Sequence, residues 1–552
     1  MERRSLILRS IVFFIAVYVF CVIFDPFFFD YRSWVLPFRQ LYGCLLAAGV
    51  LYVCVRLRYI GVLVYVAFTV LSAGLFYAYK VFGYSVGFEL VNAVMTTNKH
   101  ELAGFINSSF VLSLCCYLVV IPLIYIASVY AFGWKRFSVR TVWRILAVAV
   151  LWGGMYEIPP YTIGVRHGLY LKLADDTMRR DSELFLASGL AHAYIVYNRW
   201  RLPYVNLNAI YGGIKEYCRE VSFVESEKYA SFNHRDNEPL TFILVLGESV
   251  RGDHVPAGGY TRNTMPVCSA EPNICFYSKM YSYGASTHYS LTGLLTGMTN
   301  KMPQTLRTSF VSILKKHGYV CNLYSENTTN ITDSKLFYGI LGRYMKTCQS
   351  LRLPIKEIAE KIVRETELEV DGKRFIIVEN GTGHFPYVNE DLYDRFVPCN
   401  LNRKILPENS KELMVNDYDN CIIAVDSFIG RLIDGFRHEN AVLLYVSDHG
   451  QFLGENGKLM HGDLENELLR HVASFIWFSD EYERRHPELV AEMKSVKDKL
   501  LVHGQIYATV LRLCGIESEV PLDIGDFVNG DVREVEHNLP KSMNVPSRVV
   551  EK

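Results

Sequence analysis

The sequence predicts a bundle of five membrane-spanning helices followed by an α/β domain built on a mainly parallel sheet. Three observations carry that expectation. Five apolar stretches crowd the first 160 residues. From Pro239 onward, short β-rich runs alternate with helix-like segments. The acidic, histidine and hydroxyl residues that could do chemistry sit just beyond those runs. The chain has 552 residues, 50% hydrophobic and 21% charged, with 57 basic against 57 acidic side chains. That balance argues against a disordered chain and gives no basic excess for nucleic acid. A mean hydropathy of +0.12 and 13% aromatic residues suit membrane contact better than a purely soluble enzyme.

The apolar stretches cover residues 7–24, 34–55, 60–79, 110–132 and 142–158. A spanning helix needs about 20 mostly apolar residues. Arg39 lies near one end of the second stretch and can snorkel to the interface. The fifth carries Arg144 and Glu157 toward its two ends. Asp25-Pro26-Phe27-Phe28-Phe29 follows the first stretch where a cleavable signal would show small residues, so that stretch reads as a retained anchor. Arg3, Arg4 and Arg9, then Arg56 and Arg58, then Lys135, Arg136 and Arg140 fall on one side if all five helices span. Basic loops stay cytoplasmic. The expected topology is therefore multi-pass, with everything after residue 160 outside the cytoplasm, which in a bacterium is the periplasmic side of the inner membrane. The expected division is a transmembrane domain at 1–159, membrane-surface linker helices at 160–237, a periplasmic catalytic domain at 238–530 and a polar tail at 531–552.

Within the catalytic domain, residues 241–246, 319–324, 374–378, 441–446 and 471–478 read as buried strands. Residues 289–296, 416–436 and 505–513 read as helices between them. Alternation of this kind implies a parallel sheet with helices on both faces, and chemistry beyond the carboxyl ends of its strands. The first strand runs into Gly247-Glu248-Ser249, then Arg251-Gly252-Asp253-His254. The fourth ends in Ser447-Asp448-His449-Gly450, whose adjacent Asp and His offer a mixed oxygen and nitrogen donor set that suits zinc. His461 follows twelve residues later, and the third strand leads into a glycine-containing loop ending at His384. Ser286-Thr287-His288-Tyr289-Ser290 opens an apolar segment, so a hydroxyl sits at a helix start where backbone N–H groups favour an anion. Each pattern alone has a bland counterpart: a helix cap, a turn, a surface histidine.

In this order the motifs resemble the alkaline-phosphatase and sulfatase superfamily, and more narrowly the membrane-bound phosphoethanolamine transferases that modify lipid A and related envelope glycans. The resemblance spans nearly the whole chain. It rests on Gly247–Asp253 continuing through Gly259-Tyr260-Thr261-Arg262-Asn263-Thr264-Met265-Pro266, on the segment around Thr287, on Asn416-Asp417-Tyr418-Asp419-Asn420 with Ile423 and Asp426 as a helix start, and on Ser447–Gly450 with Leu453-Gly454-Glu455 and His461-Gly462. It implies an alkaline-phosphatase/sulfatase-like α/β domain. It implies Zn²⁺ bound by Glu248, Thr287, Asp448 and His449, with Thr287 as a covalent nucleophile and Ser286 and Ser290 as rivals. His384 and His461 would bind substrate or a second zinc. The implied donor is phosphatidylethanolamine, and the implied acceptor is lipid A or an envelope glycan.

Two departures stand out. Gln451 follows Ser-Asp-His-Gly where the family often has Glu, and Tyr283 and Gly293 stand where its nucleophile segment commonly carries cysteines. Cys268 and Cys275 are close enough in sequence to pair. A phosphoglycerol transferase or a metal-dependent phosphohydrolase of the same superfamily is the alternative activity. A formylglycine sulfatase is disfavoured, because no Cys-x-Pro-Ser-Arg segment exists. A non-enzymatic membrane protein would be expected to have broken ligand positions, and these are all present.

Overall fold

The computed structural model describes most of residues 238–530, with its main breaks at 298–308, 326–343 and 400–410, together with Phe232–His234 and short pieces before residue 131. The five stretches read as spanning helices, the 160–237 linker and the tail beyond 530 lie largely or wholly outside the described residues. No helix among the described residues is long and apolar enough to cross a membrane. The chain divides into two compact units, and the second contains Cys218–Lys552.

Among the described residues, the centre of that unit is a seven-stranded sheet. Its strands are β1 (Thr241–Gly247), β2 (Ile274–Phe276), β3 (Val320–Ser325), β4 (Thr347–Ser350), β5 (Arg374–Asn380), β6 (Ala441–Ser447) and β7 (Ser474–Phe478). They lie in the order β2-β7-β6-β1-β5-β3-β4. The five strands from β6 to β4 run parallel. β7 is antiparallel to both β6 and β2, so the sheet is mixed around a parallel core.

The parallel core follows from composition. Thr-Phe-Ile-Leu-Val-Leu-Gly in β1 and Ala-Val-Leu-Leu-Tyr-Val-Ser in β6 are continuous apolar runs buried along their whole length, as strands covered on both faces require. Phe242, Leu244, Leu246, Phe375, Ile377, Val442 and Leu444 form one core with residues of α2 (Thr287–Thr296), α3 (Phe310–Lys316) and α6 (Gly504–Leu513). On the alternate positions Ile243, Val245, Ile376, Val378, Leu443 and Tyr445 are buried too. The long helix α5 (Lys411–Phe436) packs against α4 (Ile355–Glu367) and the short α1 (Pro266–Ala270).

Three sequence expectations change. The run at 471–478 is not one strand. His471–Val472 pairs with Met280–Tyr281 in a small separate sheet, and β7 starts after Ala473. Apolar periodicity carries no signal for that change of partner. α5 begins at Lys411, so the Asn416–Asn420 polar cluster lies inside the helix rather than at its start. Those side chains look like caps but serve tertiary contacts: Asn416 Nδ2 donates to Pro398 O at 2.9 Å, and Asn420 Nδ2 donates to Phe396 O at 2.9 Å. Cys268 and Cys275 are both free thiols. Cys268 sits on α1 beside Asp426, whereas Cys275 lies on β2 in the core shared with α2 and α3.

Asp426 of α5 accepts from Val267 N–H and Cys268 N–H, each at 2.8 Å, and so caps α1 from outside. Asp426→Ala leaves both donors without that acceptor. It should destabilise the domain by about 1–2 kcal/mol, the usual cost of a lost cap, measured by urea unfolding. An unchanged midpoint would show that the cap is dispensable.

Candidate active site

The register of the sheet assembles the site. Gly247 at the end of β1 lies opposite Ser447 of β6 on one side and Asn380 of β5 on the other. The residues after these three ends therefore emerge side by side. Glu248 and Asp448 become neighbours, and Asp448 N–H donates to Gly247 O at 2.9 Å. No Cβ fits on Gly247, because it would meet Tyr445 Oη at 2.3 Å.

His449 completes the group. Its Nδ1 lies 2.9 Å from Gly450 O. A carbonyl only accepts, so Nδ1 carries the proton and Nε2 presents a lone pair. That Nε2 lies 3.4 Å from Glu248 Oε1 and 3.3 Å from Asp448 Oδ2. Ligand atoms of Glu248, Asp448 and His449 all fall within 4.8 Å of one another. Thr287 Oγ1 reaches the same point, 3.2 Å from His449 Nε2 and 3.2 Å from Glu248 Oε2. Thr287 is the first residue of α2, with Ser286 in the extended N-cap conformation. Of the rival hydroxyls, Ser290 Oγ accepts from Gly284 N–H.

The electrostatics of this cluster favour a cation. Glu248 and Asp448 are 4% and 2% exposed. Unit charges of like sign 4 Å apart repel by roughly 4 kcal/mol at an effective dielectric of 20. Burial, and then the charge of Asp448, push the Glu248 carboxyl well above the ordinary glutamate range. Burial lowers the pKa of His449, which keeps it neutral and ready to bind metal. Asp448 Oδ2 is buried without a hydrogen-bond partner. Two carboxylates, a neutral imidazole and a hydroxyl thus turn lone pairs toward one point, a donor set that fits Zn²⁺.

The His461 ring lies tilted against that of His449, with ring centroids 4.2 Å apart. Burial and the neighbouring histidines His449 and His384 lower its pKa. His384 donates from Nδ1 to Phe385 O at 2.6 Å, and its electrostatic effect on His449 and His461 places it at the same end of the sheet. The structure thus brings Glu248, Thr287, Asp448 and His449 into contact and sets the two other histidines beside them.

Sequence reasoning missed how these groups are held. Ser249 adopts φ +61°, a left-handed conformation that costs a non-glycine residue on the order of 1–3 kcal/mol. Three bonds sustain it. Ser249 N–H donates to Asp448 Oδ1 at 2.9 Å, Tyr418 Oη donates to Ser249 O at 2.7 Å, and Arg251 N–H donates to Tyr418 Oη at 2.8 Å. Buried Arg251 forms ion pairs with Asp253 at 2.6 Å and Glu455 at 2.7 Å, joining the two metal-loop segments. Asp419 gathers His254, Tyr260 and Arg262 onto α5 at 2.7–2.8 Å. The signal that could have found this bracing is an arginine just past a strand with an aspartate two residues on, Arg251 and Asp253. The Tyr283 ring fills the space above Gly293, where a Cβ would lie 2.4 Å from Tyr283 Cγ. An aromatic ring packed on a glycine thus takes the place where the resembling family carries cysteines.

Comparison with known proteins bears on the family and the fold. A sulfatase family model matches residues 241–516, and one described as phosphoethanolamine transferase EptA/EptB matches residues 44–158. The Kdo(2)-lipid A phosphoethanolamine 7''-transferase of Salmonella typhimurium is 27% identical over 478 residues, 81% of each chain. The phosphatidylethanolamine transferase Mcr-1 of Escherichia coli is 27% identical over 319 residues, 53% of this chain and 56% of that one. Among solved structures, the integral membrane lipooligosaccharide phosphoethanolamine transferase A of Neisseria meningitidis superposes with a TM-score of 0.68 at 20% identity. That match covers 94% of this chain and 98% of the other, and it shows a shared fold.

Metal and proton should compete at this site. The folded site binds the Glu248 proton more tightly than the unfolded chain does. Stability from that proton is complete below the ordinary glutamate range and is lost as pH rises through the raised value. Chelator-stripped protein should therefore lose stability over that rise, and zinc should restore it. The zinc-induced increase in Tm should be larger at about pH 8 than at about pH 5. Equal increments would refute metal binding by these carboxylates.

Proposed function

Because this chain belongs to the sulfatase family, in its phosphoethanolamine transferase branch, we propose that it moves phosphoethanolamine from phosphatidylethanolamine to lipid A or another envelope component. The observation that carries this reading is Thr287 Oγ1 at the start of α2, 3.2 Å from both His449 Nε2 and Glu248 Oε2. Relatives named for Kdo(2)-lipid A and for phosphatidylethanolamine support the choice of substrates.

Glu248, Thr287, Asp448 and His449 would hold zinc, which when bound would supply Lewis acidity and lower the pKa of a coordinated hydroxyl. The chain's own residues do the rest. Thr287 Oγ1 attacks the donor phosphorus while backbone N–H groups of α2 favour the gathering negative charge. The threonine–phosphorus bond forms, the phosphorus–glycerol oxygen bond breaks, and the net proton passes from Thr287 to the departing diacylglycerol. His384 and His461 contact the phosphoryl oxygens. An acceptor oxygen then attacks phosphorus and returns Thr287 to its free form. Both lipids reside in a bilayer, which gives the apolar stretches before residue 160 a purpose: they hold this domain on the periplasmic face of the inner membrane.

With purified protein and liposomes of labelled phosphatidylethanolamine, Thr287→Ala should reduce diacylglycerol release by at least about 10³-fold, as loss of a nucleophile does. Mass spectrometry should find the phosphoethanolamine adduct on Thr287. An adduct on Ser286 would move the nucleophile. Release from phosphatidylglycerol but not from phosphatidylethanolamine would favour a phosphoglycerol transferase. A reporter fused after Gly530 should be active only if it works in the periplasm, and cytoplasmic activity there would overturn the topology.

A further inference from the structure

Gln451 lies two residues beyond His449 and is 1% exposed. Its Nε2 donates to Gly383 O at 3.2 Å, and its backbone carbonyl accepts from Arg251 Nη1 at 3.2 Å. A carbonyl offers no proton, so only the amide NH₂ can face Gly383, which fixes the orientation of the side chain. The other end, Oε1, is buried without a hydrogen-bond partner. Methionine would fill a similar volume without burying an orphan oxygen. What the position gains from glutamine is therefore the donor.

The acceptor is equally constrained. A Cβ on Gly383 would lie 2.1 Å from Glu248 O, so the loop peptide rests directly on the backbone of a metal-site residue. One amide thus ties the loop after β6 to the loop after β5, across the end of β1. The next residue is His384. Its N–H returns to Gly381 O at 3.0 Å, and its ring donates to Phe385 O at 2.6 Å. Where this turn sits decides where the imidazole sits.

We propose that Gln451 is a positioning residue whose amide fixes the 381–385 turn, and with it His384, over Thr287. The inference rests on the reading of His384 as a group that contacts the phosphoryl oxygens. An ionised glutamate in this place cannot donate to Gly383 O and would repel it.

A double-mutant cycle tests this, with diacylglycerol release from phosphatidylethanolamine liposomes as the readout and zinc content measured for every variant. Gln451→Glu, and the neutral Gln451→Met, should each lower kcat/KM about 10- to 100-fold, the scale of a misplacement near 1 Å, with zinc retained. In a His384→Ala background the same substitutions should change it less than about 2-fold, because coupled residues are non-additive. Hydrogen exchange should rise in the peptide spanning 381–385 and not in that spanning 241–248. Equal losses in both backgrounds, loss of zinc, or unchanged exchange in the turn would overturn the proposal. Full activity of His384→Ala by itself would instead remove the reading of His384, and exchange would still report whether Gln451 holds the turn. If His384→Ala has no measurable activity, exchange alone decides.

Discussion

Placing two carboxylates side by side in a buried site is the constraint around which the catalytic domain is organised. Parallel pairing in register makes it unavoidable: Gly247 opposite Ser447 means that Glu248 and Asp448 leave the sheet together. The repulsion appears in the raised pKa of Glu248 and in an Asp448 oxygen without a hydrogen-bond partner. A neutral His449 adds a lone pair instead of the positive charge that would relieve it. A folded chain can hold such a cluster only through interactions elsewhere, and the surrounding hydrogen bonds supply them.

Those interactions run through α5. Tyr418 bonds to both Ser249 and Arg251, keeping Ser249 in its left-handed conformation so that its N–H meets Asp448. Asp419, one residue on, binds His254, Tyr260 and Arg262 and so fixes the rest of the loop after β1. Arg251 is itself compensated by Asp253 and Glu455, so its burial leaves no unpaired charge. The helix thus performs two tasks with neighbouring residues: its apolar residues are buried where it packs on α4 and α1, and its polar turn braces the loop after β1.

How much of this was legible follows from the range of each interaction. Strands β1, β5 and β6 were legible because buried parallel strands are continuous apolar runs, and the carboxylates just past them marked the site. The direction of β7 was not, since Ser-Phe-Ile-Trp-Phe reads the same in either sense. The Asn416–Asn420 cluster resembled a helix start because Asn and Asp favour caps, but here their partners come from residues 396–398 and the loop after β1. Gln451 stood out only as a departure from a pattern. Its donor role became visible once Gly383, 68 residues away in sequence, was seen to face it. Short-range chemistry was written in the motifs, whereas long-range bracing required the fold.

Thr287, the proposed nucleophile, shows how a hydroxyl at a helix start is held in place. A hydroxyl that attacks phosphorus has to be accessible yet fixed to within a fraction of an ångström. Thr287 meets both demands by heading a helix whose body is anchored elsewhere. Leu291, Leu294 and Leu295 are buried in the core under the sheet, and α2 packs along α6. At the far end, Gly297 takes a left-handed φ of +63° against Tyr507. At the near end, Tyr283 closes over Gly293. Thr287 thus rests mainly on α6 and the loop after β1 mainly on α5, while Ala285, just before Thr287, packs on Phe452 and Leu469 beyond β6. The hydroxyl is therefore held twice, by the core contacts of its own helix and by the packing of the segment before it on the loop after β6.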